Sequence, residues 1–158
     1  MTKEVEFIKG DFASLLSLVE LYRGELIPSK AFADGGIRAG FPSPAQDYVD
    51  RSLDFNRELI RHPAATFYAR VVGLSMIEAG IDEGDILVVD RSLEPRQNDV
   101  VVAWINGEFT LKYLDLSQSD QGVIWLRPGN PEFPAISIRT EEDFQIWGVV
   151  AKVIKNFR

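Results

Sequence analysis

From Thr66 onward the chain alternates short apolar runs with turn residues at close intervals. The runs are TFYARVV (66–72), DILVVD (85–90), DVVVAWI (99–105), EFTLKYL (108–114), GVIWLR (122–127) and FQIWGVVAKVI (144–154). β-Branched and aromatic side chains suit a pleated, half-buried surface, so each run predicts a strand. Asn106-Gly107 separates two of them, and that dipeptide is the signature of a type I′ hairpin turn. No long helical period interrupts the series, which argues against an alternating βαβ plan. The pattern predicts a mainly β fold, a compact antiparallel β domain over about residues 64–156.

The preceding residues follow other rules. DFASLLSLVELYR (11–23) has apolar positions at 12, 15, 16, 19 and 22, with Asp11 as cap and Gly24 as stop. This spacing predicts a short helix, with an extended arm as the alternative. Residues 25–44 are punctuated by Pro28, Gly35, Gly36, Gly40, Pro42 and Pro44 and show no sustained period. They read as an exposed, mobile connector and as the clearest boundary in the chain. Ser43-Pro44 then resembles a capped helix start, and Tyr48, Val49, Leu53, Phe55, Leu59 and Ile60 suit one or two short helices ended by His62-Pro63. No internal repeat of solenoid or propeller length occurs.

Composition narrows the chemistry. The 158 residues suffice for one domain with a sizeable core. With no cysteine, disulfides, thiolate metal sites and cysteine nucleophiles are excluded, and the single histidine, His62, excludes multi-histidine metal sites. A net charge of −7 lacks the broad basic footprint of a nucleic-acid binder, so little direct DNA binding is expected. The N-terminus interleaves acids and bases and does not read as a signal peptide. The longest mostly apolar stretch, Phe12 to Tyr22, contains Glu20 and is about half a membrane span. A cytoplasmic protein without a membrane anchor is expected.

No P-loop and no dinucleotide-binding glycine motif is present, and no cofactor or metal is expected. Asp82-Glu83-Gly84-Asp85 lacks calcium-loop spacing and reads as a solvated turn, as does Glu141-Glu142-Asp143. His62 reads as a helix-end residue positioned by Pro63. One pair stands apart. Ser75 follows a predicted strand in a glycine-led turn, GLSM, where a hydroxyl can be presented with little steric cover. Lys112 lies on the return strand of the Asn-Gly hairpin among Phe109, Leu111, Tyr113 and Leu114. Apolar surroundings disfavour an ammonium and draw its pKa down from ~10.4, and a neutral amine can take a proton from serine. An ordinary snorkelling lysine at a sheet edge fits the same pattern.

AGFPSPAQDYV (39–49), LDFNRELIRHPAATFYARVVGLSMIEAGIDEGDILVVDRS (53–92), NGEFTLKYL (106–114) and WGVVAKVIKNFR (147–158) resemble, in order, the LexA/UmuD group of self-cleaving serine peptidases, UmuD most of all. The resemblance runs through residues 39–158, while the first 38 match weakly. It implies a β domain of the LexA/signal-peptidase type, with Ser75 as nucleophile, Lys112 as general base and the backbone amides of Leu74 and Ser75 as oxyanion hole. The implied substrate is the chain's own Ala39–Gly40 bond, dividing an arm (1–39) from a peptidase-like body (40–158). It further implies a homodimer, activation by a RecA filament on single-stranded DNA, and work in the SOS response as the processed accessory subunit of an error-prone translesion polymerase, beside a Y-family catalytic subunit (UmuC-like). Two positions depart from UmuD. Ala39 stands where UmuD commonly has Cys, as in LexA, and Leu74 stands where UmuD usually has an acid.

The residues themselves suit that cut. Ala and Gly let an extended strand enter a tight cleft, and the bond lies in the predicted connector, whereas Ala79–Gly80 lies in the predicted body. The 38 residues before Ala39 are too few for a winged helix-turn-helix, so a LexA-type repressor is not expected. The competing reading is a non-enzymatic dimeric interaction module with a vestigial Ser75 and Lys112.

Overall fold

The computed structural model describes residues 5–7, 30–33, 50–139 and 142–158. In chain order these form β1 (Val5–Phe7), β2 (Lys30–Ala33), β3 (Asp50–Leu53), helix α1 (Phe55–Leu59), β4 (Thr66–Val71) and β5 (Ile86–Asp90). There follow β6 (Val100–Ile105), β7 (Glu108–Asp115), β8 (Val123–Arg127), β9 (Ile136–Arg139) and β10 (Phe144–Ile154). Eight strands make one sheet in the order β1-β4-β5-β10-β6-β7-β8-β9, and β2 pairs with β3 separately. Every pair with a defined register is antiparallel. The fold is the mainly antiparallel β domain expected from the alternation of apolar runs and turns.

β10 joins the two halves of the sheet. Its first half pairs with β6 and its second with β5, and a register shift interrupts each ladder. Such irregularities bend a strand and increase its twist. The shift against β6 falls between Ile146 and Gly148, where the backbone passes so close to β5 that a Cβ on Gly148 would lie 2.6 Å from Val89 Cγ1. Glycine is therefore required there by space. The sheet curls enough to bring β1, at one edge, against β7, several strands away in the order.

Alternation along the strands fills both faces. On β6, Val102 belongs to one cluster with Phe67, Ala69, Val71, Leu87, Val89 and Leu111, while Val101, Ala103 and Ile105 face another with Leu114, Leu126 and Ile138. Successive side chains on a strand point to opposite faces, so a run with no polar member marks a strand covered on both. Each fully buried Val or Leu contributes about 1.5–3 kcal/mol relative to leaving it exposed. Trp147 packs between Phe67 and Phe109, with ring centroids at 4.3 and 5.2 Å, and Arg91 lies 4.8 Å over it. Asn106 and Gly107 both have positive φ, as the type I′ turn between β6 and β7 needs.

Three expectations need correction. Residues 25–44 are not wholly irregular, because Lys30–Ala33 form β2, whose pairing with β3 supplies the order that local composition does not. One or two short helices were expected over 44–60; residues 44–49 lie outside the described residues, and of the rest Asp50–Leu53 are extended while Phe55–Leu59 are helical, capped by Asp54 through Asn56 N at 2.9 Å. Asp82–Asp85 is not simply solvated. Asp85 is buried, and Lys155 Nζ reaches Asp82 at 2.6 Å and Asp85 at 2.5 Å, fastening the end of the chain to the turn before β5. The helix expected over 11–23 lies outside the described residues, as does Ala39–Gly40.

Candidate active site

β4 delivers one half of the site. Its ladder with β5 continues through Val71 N to Asp85 O and Gly84 N to Val71 O, both 2.9 Å. Gly73, at φ +96, then turns the chain out of the strand, a conformation that costs glycine little. Leu74 and Ser75 follow, and the 3-10 turn Ile77–Ala79 closes the segment with Gly80 at φ +73. Met76 is buried in the core, which fixes the depth of the turn, while Leu74 next to Ser75 is 50% exposed.

β7 delivers the other half. Thr110 and Lys112 are two apart on the strand and share a face, opposite Ala103 and Val101 of β6. Lys112 Nζ donates to Thr110 Oγ1 at 2.8 Å, to the Leu111 carbonyl at 3.2 Å and to Ser75 Oγ at 3.3 Å. Ser75 and Lys112 retain only 3% and 2% of their exposure. The hydroxyl expected to stand with little cover is therefore buried: the turn is pressed into the core by Met76, and the loop after β8 lies against it.

That loop was not legible as part of the site. Gly129 N donates to Met76 Sδ at 3.2 Å, Gly129 O accepts from Glu78 N at 2.7 Å, and Asn130 Nδ2 donates to the Leu74 carbonyl at 2.9 Å. A Cβ on Gly129 would lie 3.3 Å from the Cα of Met76, so glycine lets the two segments approach. Thr110 was also missed, although its place two residues before Lys112 on a strand is a usable signal.

The remaining candidates lie apart from this pair. His62 begins the 3-10 turn Pro63–Ala65, and its Nδ1 lies 2.6 Å from Asp90 Oδ2. Burial pushes the Asp90 carboxyl up, but hydrogen bonds from Ser92 and His62 outweigh it and hold the group below the usual carboxylate range. His62 and Asp90 line a cavity of about 260 Å³ with Arg61, Val88, Leu93 and Lys152. Among the described residues no group of three or more His, Asp or Glu side chains is arranged to hold a metal ion. None of the described helices is long and apolar enough to cross a membrane.

Comparison with known proteins shows the family. The model of the family described as Peptidase S24-like matches residues 31–151. Protein SamA of Salmonella typhimurium is 47% identical over 120 residues, covering 76% of this chain and 81% of its own. Protein ImpA of Escherichia coli is 46% identical over 129 residues, 80% and 83% of the two chains. The LexA repressor of Paracidovorax citrulli is 34% identical over 122 residues, 77% of this chain but 53% of the repressor. With a matching region that spans most of the sequence, the chain belongs to the Peptidase S24-like family and is a self-cleaving serine peptidase of the SOS response.

Proposed function

We propose that Ser75 and Lys112 form a Ser–Lys dyad that cuts the chain's own Ala39–Gly40 bond. The observation that carries this reading is the 3.3 Å contact between Lys112 Nζ and Ser75 Oγ, made inside the protein by residues 37 apart in sequence. A neutral amine has two hydrogens and one lone pair. Thr110 Oγ1 and the Leu111 carbonyl lie where they can accept its hydrogens, and at 3.3 Å its lone pair can accept from the Ser75 hydroxyl. Lys112 then takes the Ser75 proton as Oγ attacks the Ala39 carbonyl carbon, and the N–H groups of Leu74 and Ser75 receive the oxyanion. The C–N bond breaks, the Lys112 ammonium returns its proton to the Gly40 amine, and an Ala39 ester on Ser75 remains. Water, deprotonated by Lys112, hydrolyses the ester to the Ala39 carboxylate and restores Ser75.

The topology supports this cut site. β2 ends at Ala33 and β3 begins at Asp50, so residues 34–49, which contain the bond, connect two paired strands. Cleavage divides the arm (1–39) from the body (40–158) and changes the net charge of the body by only one unit. The switch therefore acts by uncovering surface. In the cell a RecA filament on single-stranded DNA promotes the cut, and the processed homodimer serves a Y-family, UmuC-like catalytic subunit in translesion synthesis, in the cytoplasm.

The test is intact mass after incubating wild type, Ser75→Ala and Lys112→Ala at neutral and alkaline pH, with and without RecA filaments. A fragment beginning at Gly40 from wild type alone, forming faster as pH rises, is expected. A wild type that keeps its full mass in every condition would overturn the dyad and leave an interaction module.

A further inference from the structure

Leu74 and Ser75 share one peptide group, and the described chain contains no cis peptide bond. In a planar trans peptide the carbonyl oxygen and the next N–H point to opposite sides. Whatever holds the Leu74 oxygen therefore also aims the Ser75 N–H. Two donors hold it: Ile77 N at 3.4 Å, from within the turn, and Asn130 Nδ2 at 2.9 Å, from the loop between β8 and β9. The second bond is the shorter, and it comes from outside the turn.

Asn130 is itself held in one orientation. Its Oδ1 accepts from Glu132 N at 3.0 Å, so the amide nitrogen is the end left for Leu74. Its backbone oxygen accepts from Phe133 N at 3.1 Å, and the residue is 5% exposed. Its neighbour Gly129 makes the two further contacts, to Met76 Sδ and from Glu78 N. A rigid loop thus grips the serine turn on the side away from the Ser75 N–H.

We infer that Asn130 is a positioning residue for self-cleavage, aiming the Ser75 N–H at the developing oxyanion through its hydrogen bond to the Leu74 carbonyl. This rests on the dyad proposed above. Loss of an oxyanion donor lowers turnover by roughly 10²–10³-fold, and a donor that is present but loosely aimed keeps part of that. Loss of the Asn130 donor is therefore expected to slow cleavage by ~10- to 100-fold. Asn130 makes no hydrogen bond to Lys112, so the midpoint of the alkaline pH–rate profile should stay where it is.

The informative variant is Asn130→Ser, which keeps a short hydroxyl for the local turn to Glu132 N but loses the donor to Leu74. Asn130→Asp, with the acceptor kept and the donor removed, serves as the second variant if the first does not fold. Three readouts are needed: the urea midpoint, the self-cleavage rate across alkaline pH, and labelling of Ser75 by an alkyl fluorophosphonate. In that labelling an Oγ–P bond forms, fluoride leaves, and Lys112 takes the serine proton. Folded variants with both rates reduced at an unmoved pH midpoint are expected. Wild-type rates in a folded variant, or a displaced midpoint, would overturn the inference. Failure of both variants to fold would assign Asn130 to stability and overturn it too. A wild type that is neither cut nor labelled at Ser75 would instead sink the dyad, and this inference with it.

Discussion

Met76 and Leu111 are buried in one apolar cluster, and each is the chain neighbour of one member of the Ser75–Lys112 pair. The core thus acts as the gauge block between two segments that are far apart in sequence. Leu111→Ala should cost about 2–5 kcal/mol, the usual range for a buried leucine that leaves a cavity. It should also slow self-cleavage in the fraction that remains folded, because the Thr110–Lys112 segment loses its anchor. Urea midpoints with cleavage rates measured well below them would check this. An unchanged rate in a destabilised but folded variant would show that the hairpin alone sets the position of Lys112.

Lys112→Arg separates charge from basicity. A guanidinium stays protonated at any workable pH and cannot accept the Ser75 proton. Self-cleavage should fall below detection and should not recover in alkali, whereas wild type should accelerate there. Intact mass over a day at about pH 7 and pH 10 gives the comparison. A slow cut by the arginine variant that rises with pH would point to hydroxide, and not Lys112, as the base.

Thr110 Oγ1 accepts from Lys112 Nζ at 2.8 Å, closer than either the Leu111 carbonyl or Ser75 Oγ. Thr110→Val keeps the shape and removes the acceptor, at a cost of roughly 1–3 kcal/mol if the amine hydrogen is left without a partner. The expected result is a ~10-fold slower cut that Thr110→Ser largely restores, since one hydrogen bond of this size corresponds to about that factor. A valine variant as fast as wild type would make Thr110 a packing residue.

The strands of the body were legible because each is an apolar run bounded by turn residues, and in β5, β6 and β7 most of those side chains are buried. FQIWGVVAKVI has the same bounds in the structure as in the sequence pattern, and the six apolar runs all became strands. The pieces missed are those whose order comes from a distant partner. β9 is only four residues long and exists by pairing with β8, and β1 to β3 are short strands defined by ladders that local periodicity does not encode. The site divides in the same way. Residue type and setting singled out Ser75 and Lys112, but their contact depends on the curl of the sheet. Asn130 and Gly129 lie in RPGNPEFP, which reads as an ordinary turn until the fold lays it on the serine segment.

Gly148 offers a test of the curl itself. With Val89 Cγ1 only 2.6 Å from where a Cβ would stand, Gly148→Ala forces either the valine or the β10 backbone to move. Overpacking of this kind typically costs 1–3 kcal/mol, so a loss of about that size in the urea midpoint is expected. Gly148→Ala paired with Val89→Ala should cost less than the sum of the two single changes, because the second removes the methyl that clashes. A single variant as stable as wild type would mean that the ladder at this register shift yields freely.

Two ion pairs set the pH limits within which every cleavage assay must be read. Asp115 is held well below the ordinary carboxylate range by the hydrogen bond from Gln97, then by Ser117 and by the Arg127 guanidinium beside it. A carboxyl depressed in the folded state contributes stability that is complete above its unfolded value, near 3.8, and is lost as pH falls further. Lys155 runs the opposite way. Its hydrogen bonds to Asp82 and Asp85 raise it above its ordinary 10.5, so its contribution is complete below 10.5 and drains away above it. Urea midpoints from about pH 2 to 11 should therefore fall at both ends, less steeply at the acid end in Asp115→Asn and at the alkaline end in Lys155→Met. An alkaline rise in self-cleavage that persists in Lys155→Met, at pH values where its midpoint is flat, belongs to the dyad. A rise that tracks the loss of the Lys155 clamp belongs to loosening of the fold.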